Sequence, residues 1–351
     1  MSEGGGIYKY ICNLCDVLLF DDNELHIITT HADKPDEEMD LFCNRTNILL
    51  HQLHKYNKFT KYIRLAQLIY RLNPDLIICN FNAPTQYVLP FCKRKAKVVH
   101  IIHNDVDIFY RIASINGRWV DGWITPTPGV KDNFNKYTNQ RYADKVTPIF
   151  HGVESPDKYG IQPHREERLS IVFAGVLYPH KGVLLFPEIV TKLREAGVDF
   201  HLTIVGNGIE RENLGKAMYR DIQDGYVEFT GFIPPEQVYQ KMAEAHVFLY
   251  PTRIDSFGLV IAEAMMNGAV PVVSRLSGIT DALVIDGQCG FLIDDPTNAD
   301  SFVDKIIQLN NDRNKLTQMS TNAYARGKNE FSLSRFHVNY LKYFNKLSNI
   351  H

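Results

Sequence analysis

The chain has 351 residues, of which 45% are hydrophobic and 22% charged, and its formal net charge is −2. That length holds two ordinary domains, and the balance is that of a folded globular protein, not a disordered one. The near-neutral charge excludes a global pull toward nucleic acid, so any basic surface has to be local.

The chain opens on Gly4-Gly5-Gly6, which runs straight into a helix-like stretch, Tyr8–Phe20. After it, short apolar runs alternate with amphipathic runs of helical length, the pattern of parallel α/β architecture. Strands are expected at Leu25–Thr29, Asp75–Cys79, Lys97–Ile102, Gly122–Thr125 and Val146–Phe150. Glu154–Arg168 is rich in Pro, Gly and charge without periodicity, and reads as an interdomain linker. Beyond it, strands are expected at Ser170–Ala174, Phe200–Val205, Val227–Thr230, Val247–Tyr250, Val270–Val273 and Phe291–Ile293. A final amphipathic helix covers Ser332–Leu347, anchored by Phe336, Tyr340, Leu341 and Tyr343. The domains are therefore read as 1–160 and 161–331, with 332–351 as a closing helix. Tandem doubly wound sheets bind ligands at the carboxyl ends of their strands, in a cleft between the two.

Six cysteines, at 12, 15, 43, 79, 92 and 289, lie mostly in apolar runs. Cys12-Asn-Leu-Cys15 has no second pair to complete a metal site, so the thiols read as reduced and the location as cytoplasmic. No apolar stretch approaches the ~20 residues that span a bilayer, and the opening residues do not read as a secretory leader. Lys55–Arg71 and Lys93–Lys97 interleave basic and aromatic residues; a helix of that kind can rest on anionic lipid, or simply pack one face and solvate the other.

The densest chemistry lies in Tyr250-Pro-Thr-Arg-Ile-Asp-Ser-Phe-Gly-Leu-Val-Ile-Ala-Glu263, followed by a glycine stop at Gly268 and the Val270–Val273 strand. The spacing predicts a helix beginning near Ser256, with Asp255 and Glu263 on either side of its start. A helix N-terminus offers unpaired N–H groups and about half a positive charge, which suits a phosphate. An acid on each side could hold hydroxyls flanking a diphosphate. Upstream, Gly175-Val-Leu-Tyr-Pro-His-Lys181-Gly182 follows a strand and carries a lysine able to reach that diphosphate. Val205-Gly206-Asn207-Gly208 is a tight turn after another strand. His103 stands at the carboxyl end of a strand, where sites are built; His100 on the same strand reads as structural. Ser277-Gly278-Ile279-Thr280-Asp281 is equally a helix cap and a ligand contact.

These segments resemble the donor-binding signature of retaining family-4 glycosyltransferases with the GT-B fold. That family's pattern is Glu, seven residues, Glu; here the first acid is Asp255. The family also sets Arg directly after the loop's first glycine, where this chain has Val176, and Arg253 is a candidate replacement for that charge. The resemblance implies two Rossmann-like domains facing a central cleft, the first binding the acceptor and the second the nucleotide sugar. It implies transfer of a sugar from a nucleoside-diphosphate donor to a glycan or lipid-linked acceptor, with retention, in polysaccharide or glycolipid biosynthesis. Asp255 and His103 would contact the transferred sugar and Glu263 the ribose. Lys181 and the amides of Phe257, Gly258 and Leu259, beside Ser256, would hold the departing diphosphate. Gly175 would shape the donor loop, and Gly5 and Gly6 would place amides near the diphosphate or the acceptor. No metal or other cofactor is expected, because the lysine and the helix supply the positive charge.

In the family a central strand precedes the glycine run, so the first strand reads as missing and Met1 as an internal methionine of a longer product. Val176, the aspartates at 255 and 281 and that absent strand leave open a catalytically impaired relative that binds sugar nucleotide or supports a partner. An epimerase on the same architecture fits the acid–glycine–acid order less well.

Overall fold

A computed structural model describes residues 6–19, 23–30, 37–92, 95–154 and 168–348. Gly5, Lys93, Arg94 and the linker positions 155–167 lie outside the described residues. The chain divides into two compact units. One comprises Val153–Arg335; the other is built from the chain up to Gly152 together with the segment from Phe336 onward.

In the second half, six parallel strands form one sheet: β7 (Leu169–Ala174), β8 (Phe200–Val205), β9 (Val227–Gly231), β10 (Val247–Tyr250), β11 (Val270–Ser274) and β12 (Phe291–Ile293), in the order β12-β11-β10-β7-β8-β9. β10 and β11 are buried at every position and β7 at all but one, as expected for a parallel sheet covered on both faces. The order reverses between β7 and β10, and the loops following those two strands leave the same edge side by side.

The first half carries β1 (His26–Thr29), β2 (Leu49–Gln52), β3 (Leu76–Asn80), β4 (Lys97–Ile101), β5 (Gly122–Thr125) and β6 (Val146–Pro148). All pair in parallel, but among the described residues they form a pair, β1-β2, and a separate set, β3-β4-β5-β6. β2 is a strand that the sequence reading did not include. It is four residues long and begins on an exposed leucine, Leu49, so it carries little apolar signal.

One core packs Trp123, Phe134, Leu65 and Ile69 beneath the sheet. Another joins Tyr10, Leu14 and Val17 of the Gly6–Leu19 helix to Phe336, Tyr340 and Leu347 of the closing helix, Leu333–Ser348. The C-terminal helix therefore belongs physically to the first unit. Its Tyr340 hydroxyl hydrogen-bonds that of Tyr10.

The basic stretch forms a helix over Lys58–Leu72. Asn57 caps its start by accepting the Thr60 N–H, and left-handed Asn73 ends it. Leu65 and Ile69, four apart, turn inward, while Phe59 and Ile63 stay exposed. All six cysteines are free thiols, and all but Cys12 are buried. No helix among the described residues is long and apolar enough to cross a membrane.

Candidate active site

The site residues of the second unit lie on the loops after β7 and β10. The first loop turns through Gly175 and a short 3₁₀ segment, Pro179–Lys181. Gly182 then adopts φ +72°, and a Cβ there would lie 1.8 Å from the Pro251 carbonyl oxygen. Only glycine lets the two loops approach so closely. The Arg253 N–H donates to the His180 carbonyl at 2.8 Å and completes the seam. Gly206 does the same for the neighbouring turn, where a Cβ would lie 1.9 Å from the Gly175 carbonyl oxygen.

This seam brings Lys181 against Asp255: Nζ lies 2.9 Å from Oδ2. Both side chains are largely shielded from solvent, at 16% and 14% exposure, so the pair is screened far less than a surface bridge. Tyr250, the last residue of β10, donates its hydroxyl to the same Oδ2 at 3.0 Å. The other oxygen, Oδ1, accepts backbone N–H groups from Ser256 (2.8 Å), Phe257 (3.3 Å) and Gly258 (2.9 Å). Burial is the largest single influence on Asp255 and would raise its pKa. The Lys181 charge, with hydrogen bonds from Lys181, Ser256 and Tyr250, outweighs it and holds the carboxyl below its ordinary value. Tyr250 is shifted upward, first by burial and then by the Asp255 charge, so it remains a donor.

Two expectations change here. The helix begins at Leu259, not near Ser256, because residues 256–258 wrap around the Asp255 carboxylate and Gly258 closes the turn at φ +84°. Two of the three amides assigned to a diphosphate, those of Phe257 and Gly258, already donate to Asp255; Leu259 opens the helix itself. Glu263 lies half-buried in the second turn of that helix, Leu259–Met266, close enough for its charge to act on Tyr250. Arg253 is exposed, and its charge acts on Asp295, beyond the end of β12. Tyr250 and Thr252, whose hydroxyl donates to the Ile254 carbonyl at 2.9 Å, are site residues that sequence reasoning missed. A tyrosine, the one polar side chain in an otherwise apolar strand, was the signal available.

In the first unit, His103 follows β4 and is buried. Its Nε2 lies 3.0 Å from Asn80 Oδ1, and the Tyr10 ring meets it edge-on at 4.8 Å. His151 stacks parallel to it at 6.1 Å. Burial, followed by the neighbouring histidines 151 and 100, lowers the His103 pKa well below 6.5, so the ring is neutral near pH 7. Gly6 starts the Gly6–Leu19 helix. In the 277–281 turn, the Thr280 hydroxyl accepts the Leu276 N–H at 2.7 Å and donates to the Ser274 carbonyl at 2.7 Å. That turn is closed by Thr280; no side chain caps the short helix, so Asp281 is not its cap.

The family model for glycosyl transferases group 1 matches residues 155–326, and that for glycosyltransferase family 4 matches residues 4–155. The chain belongs to the family-4-like glycosyltransferases of GT-B fold, with a Rossmann-like domain in each half. An uncharacterized glycosyltransferase of Methanocaldococcus jannaschii is 23% identical over 88% of this chain and 85% of its own length. The fold is similar to that of Anabaena HepE in complex with UDP (TM-score 0.80, 17% identity, 99% of this chain and 98% of that one). It is similar too to a glycosyltransferase of Rickettsia africae (TM-score 0.78, 14% identity, covering 100% and 97%).

Proposed function

We propose that the protein transfers a hexose from a nucleoside-diphosphate sugar to a hydroxyl of a glycan or lipid-linked acceptor, with retention of anomeric configuration and without a metal. The observation that carries this reading is the shielded Lys181–Asp255 pair, set on two loops at the point where the strand order reverses. A cation already desolvated and held in place stabilises charge that develops on a leaving diphosphate more strongly than a solvated one, commonly by about 10²–10³ in rate.

In this reading Lys181 exchanges the Asp255 carboxylate for the diphosphate when donor binds. Asp255 turns its oxygens to the sugar hydroxyls, and Tyr250 keeps the carboxylate in register. Glu263 takes the ribose hydroxyls. The N-terminal end of the Leu259–Met266 helix adds its dipole to the lysine, so the charge a metal would neutralise is met by the chain. Neutral His103, oriented by Asn80, contacts the transferred sugar. HepE, of the same fold, is a UDP-bound protein, which makes UDP-sugars the first donors to try. Exposed Phe59 and Ile63 on the basic helix, and Phe91 on the Ala83–Cys92 helix packed against it, support peripheral contact of the first unit with an anionic membrane.

The test is turnover of UDP-, GDP- and ADP-sugars over a pool of glycan and glycolipid acceptors, with and without EDTA, and NMR of the product's anomeric centre. Retained configuration and chelator-insensitive turnover are expected. An inverted product, or activity abolished by EDTA and restored by a divalent ion, contradicts the reading.

A further inference from the structure

Left-handed backbone positions outside glycine are held, among the described residues, by Asn47, Asn73, Asn116, Asn139, Gln140 and Phe81. Asparagine tolerates that conformation because its short polar side chain bonds locally; a bulky aromatic there is an outlier, at a cost of roughly 1–3 kcal/mol. Phe81 adopts φ +44° directly after β3, with an asparagine on either side of it. Either neighbour type would take the turn at less cost, so the ring has a use that the turn alone does not explain.

Both neighbours are pinned. Asn80, paired with Ile101 in the β3–β4 ladder, places Oδ1 3.0 Å from His103 Nε2. Asn82 accepts the Thr85 N–H through Oδ1 at 3.1 Å, and its Nδ2 donates to Thr30 Oγ1 at 3.0 Å. Between them the Phe81 ring stacks on Phe109 of the Asp107–Ser114 helix, with centroids 3.9 Å apart and planes 24° from parallel. Phe109 in turn packs against the core of Leu65, Ile69 and Trp123, so Phe81 is the outer member of the stack. Phe81 is only half-buried, and part of it stays open to a ligand. With Thr30, Asn80, Asn82 and Thr85 it lines the end of a cavity of about 800 Å³ where β1 and β3 finish.

The surroundings decide which ligand suits this ring. An alkyl chain laid on it would strip water from the neighbouring amides and imidazole without replacing their hydrogen bonds. A pyranose meets both demands. The C–H groups on one of its faces are apolar and slightly positive, which suits the electron-rich face of an aromatic ring. The hydroxyls at its rim replace water on the amides.

We propose that Phe81, held on Phe109, is the floor of an acceptor subsite for a sugar ring. The acceptor is then a glycan or glycolipid that stacks a pyranose here, not a bare lipid phosphate. This rests on the reading of the first unit as the acceptor-binding half and narrows its substrate class.

The experiment is saturation-transfer NMR with irradiation of aromatic protons and no nucleotide present. The probes are the methyl glycosides of glucose, galactose and mannose, with octyl phosphate as the alkyl probe. Three chains are compared: the parent, Phe81→Asn, which keeps a residue suited to the left-handed turn, and Phe81→Tyr, which keeps the ring. At least one methyl glycoside should receive saturation on one face in the parent and in Phe81→Tyr, and Phe81→Asn should bind it about tenfold more weakly. The Tm of Phe81→Asn should stay within about 4 °C of the parent's, because relieved strain offsets the lost ring contacts. Equal binding by Phe81→Asn overturns the proposal, as does loss of binding in Phe81→Tyr. Saturation of octyl phosphate alone, or of no probe, also overturns it. So does a larger fall in Tm, which would make the ring a structural prop. With no donor in the sample, turnover of nucleotide sugars can fail while this result stands, and the reverse.

Discussion

The two halves are built from the same alternation of strands and helices, yet they use polar groups differently. In the Val153–Arg335 unit the sheet is continuous, and at the ends of its middle strands it shields an ion pair, where Lys181, Tyr250 and three backbone amides converge on Asp255. In the other unit the sheet is divided beside a cavity among the described residues, and the buried polar groups are neutral: His100, His103, Gln86, Asn135 and the Tyr10–Tyr340 hydroxyl pair among them. A tightly packed core can hold a desolvated ion pair in one geometry. A unit with space in its core relies on neutral groups, which tolerate burial when hydrogen-bonded.

The sharpest way to break this contrast is core truncation. Phe248→Ala, in the middle of the continuous sheet, should destabilise by about 3–5 kcal/mol, whereas Ile77→Ala, beside the cavity, should cost about 2 kcal/mol or less. Denaturant unfolding of both variants checks the ordering, and equal losses would remove the packing difference. Next in size is Lys181→Ala, expected to lower kcat about 10²-fold or more. A steady-state rate equal to the parent's takes the lysine out of the mechanism.

Acidification separates the halves by pH. His103 has its folded pKa depressed below 6.5, and burial holds His100 at about 3. A depressed folded pKa means stability that is present above the unfolded value and lost as pH falls toward the folded one. The first unit should therefore loosen from about pH 6.5 downward. Asp255, depressed below 3.8, protects the second unit until about pH 4 and then fails. Peptide-level hydrogen exchange at pH 7, 5.5 and 4 reads both; simultaneous loosening contradicts the assignment. The smallest effect is Glu263→Gln, which should raise the donor KM about tenfold with kcat little changed. An unaltered KM would refute its ribose role.

How much of this was legible in the chain depends on how local each feature is. The Leu259–Met266 helix, its glycine stop and the flanking strands announce themselves by apolar runs and turn residues within one short segment. The helix start was misplaced because the Asp255 side chain, not the helix, takes the amides of 256–258, and no propensity encodes that choice. The Lys181–Asp255 contact spans 74 positions and depends on Gly182 slipping under Pro251, a close approach visible only in three dimensions. Likewise Tyr250 read as one more apolar strand residue, because its hydroxyl partner lies across a loop. The family resemblance bridged that distance for Lys181 and Asp255 but offered nothing for Tyr250.

The most direct test follows hydrogen exchange across the whole chain while a nucleoside-diphosphate sugar that the protein turns over is added at about 100 times its Kd. The account predicts slowed exchange in 175–182 and 253–263, with Lys181→Ala abolishing the first of these. Slowed exchange confined to other segments, with 253–263 unchanged at saturation, would contradict it.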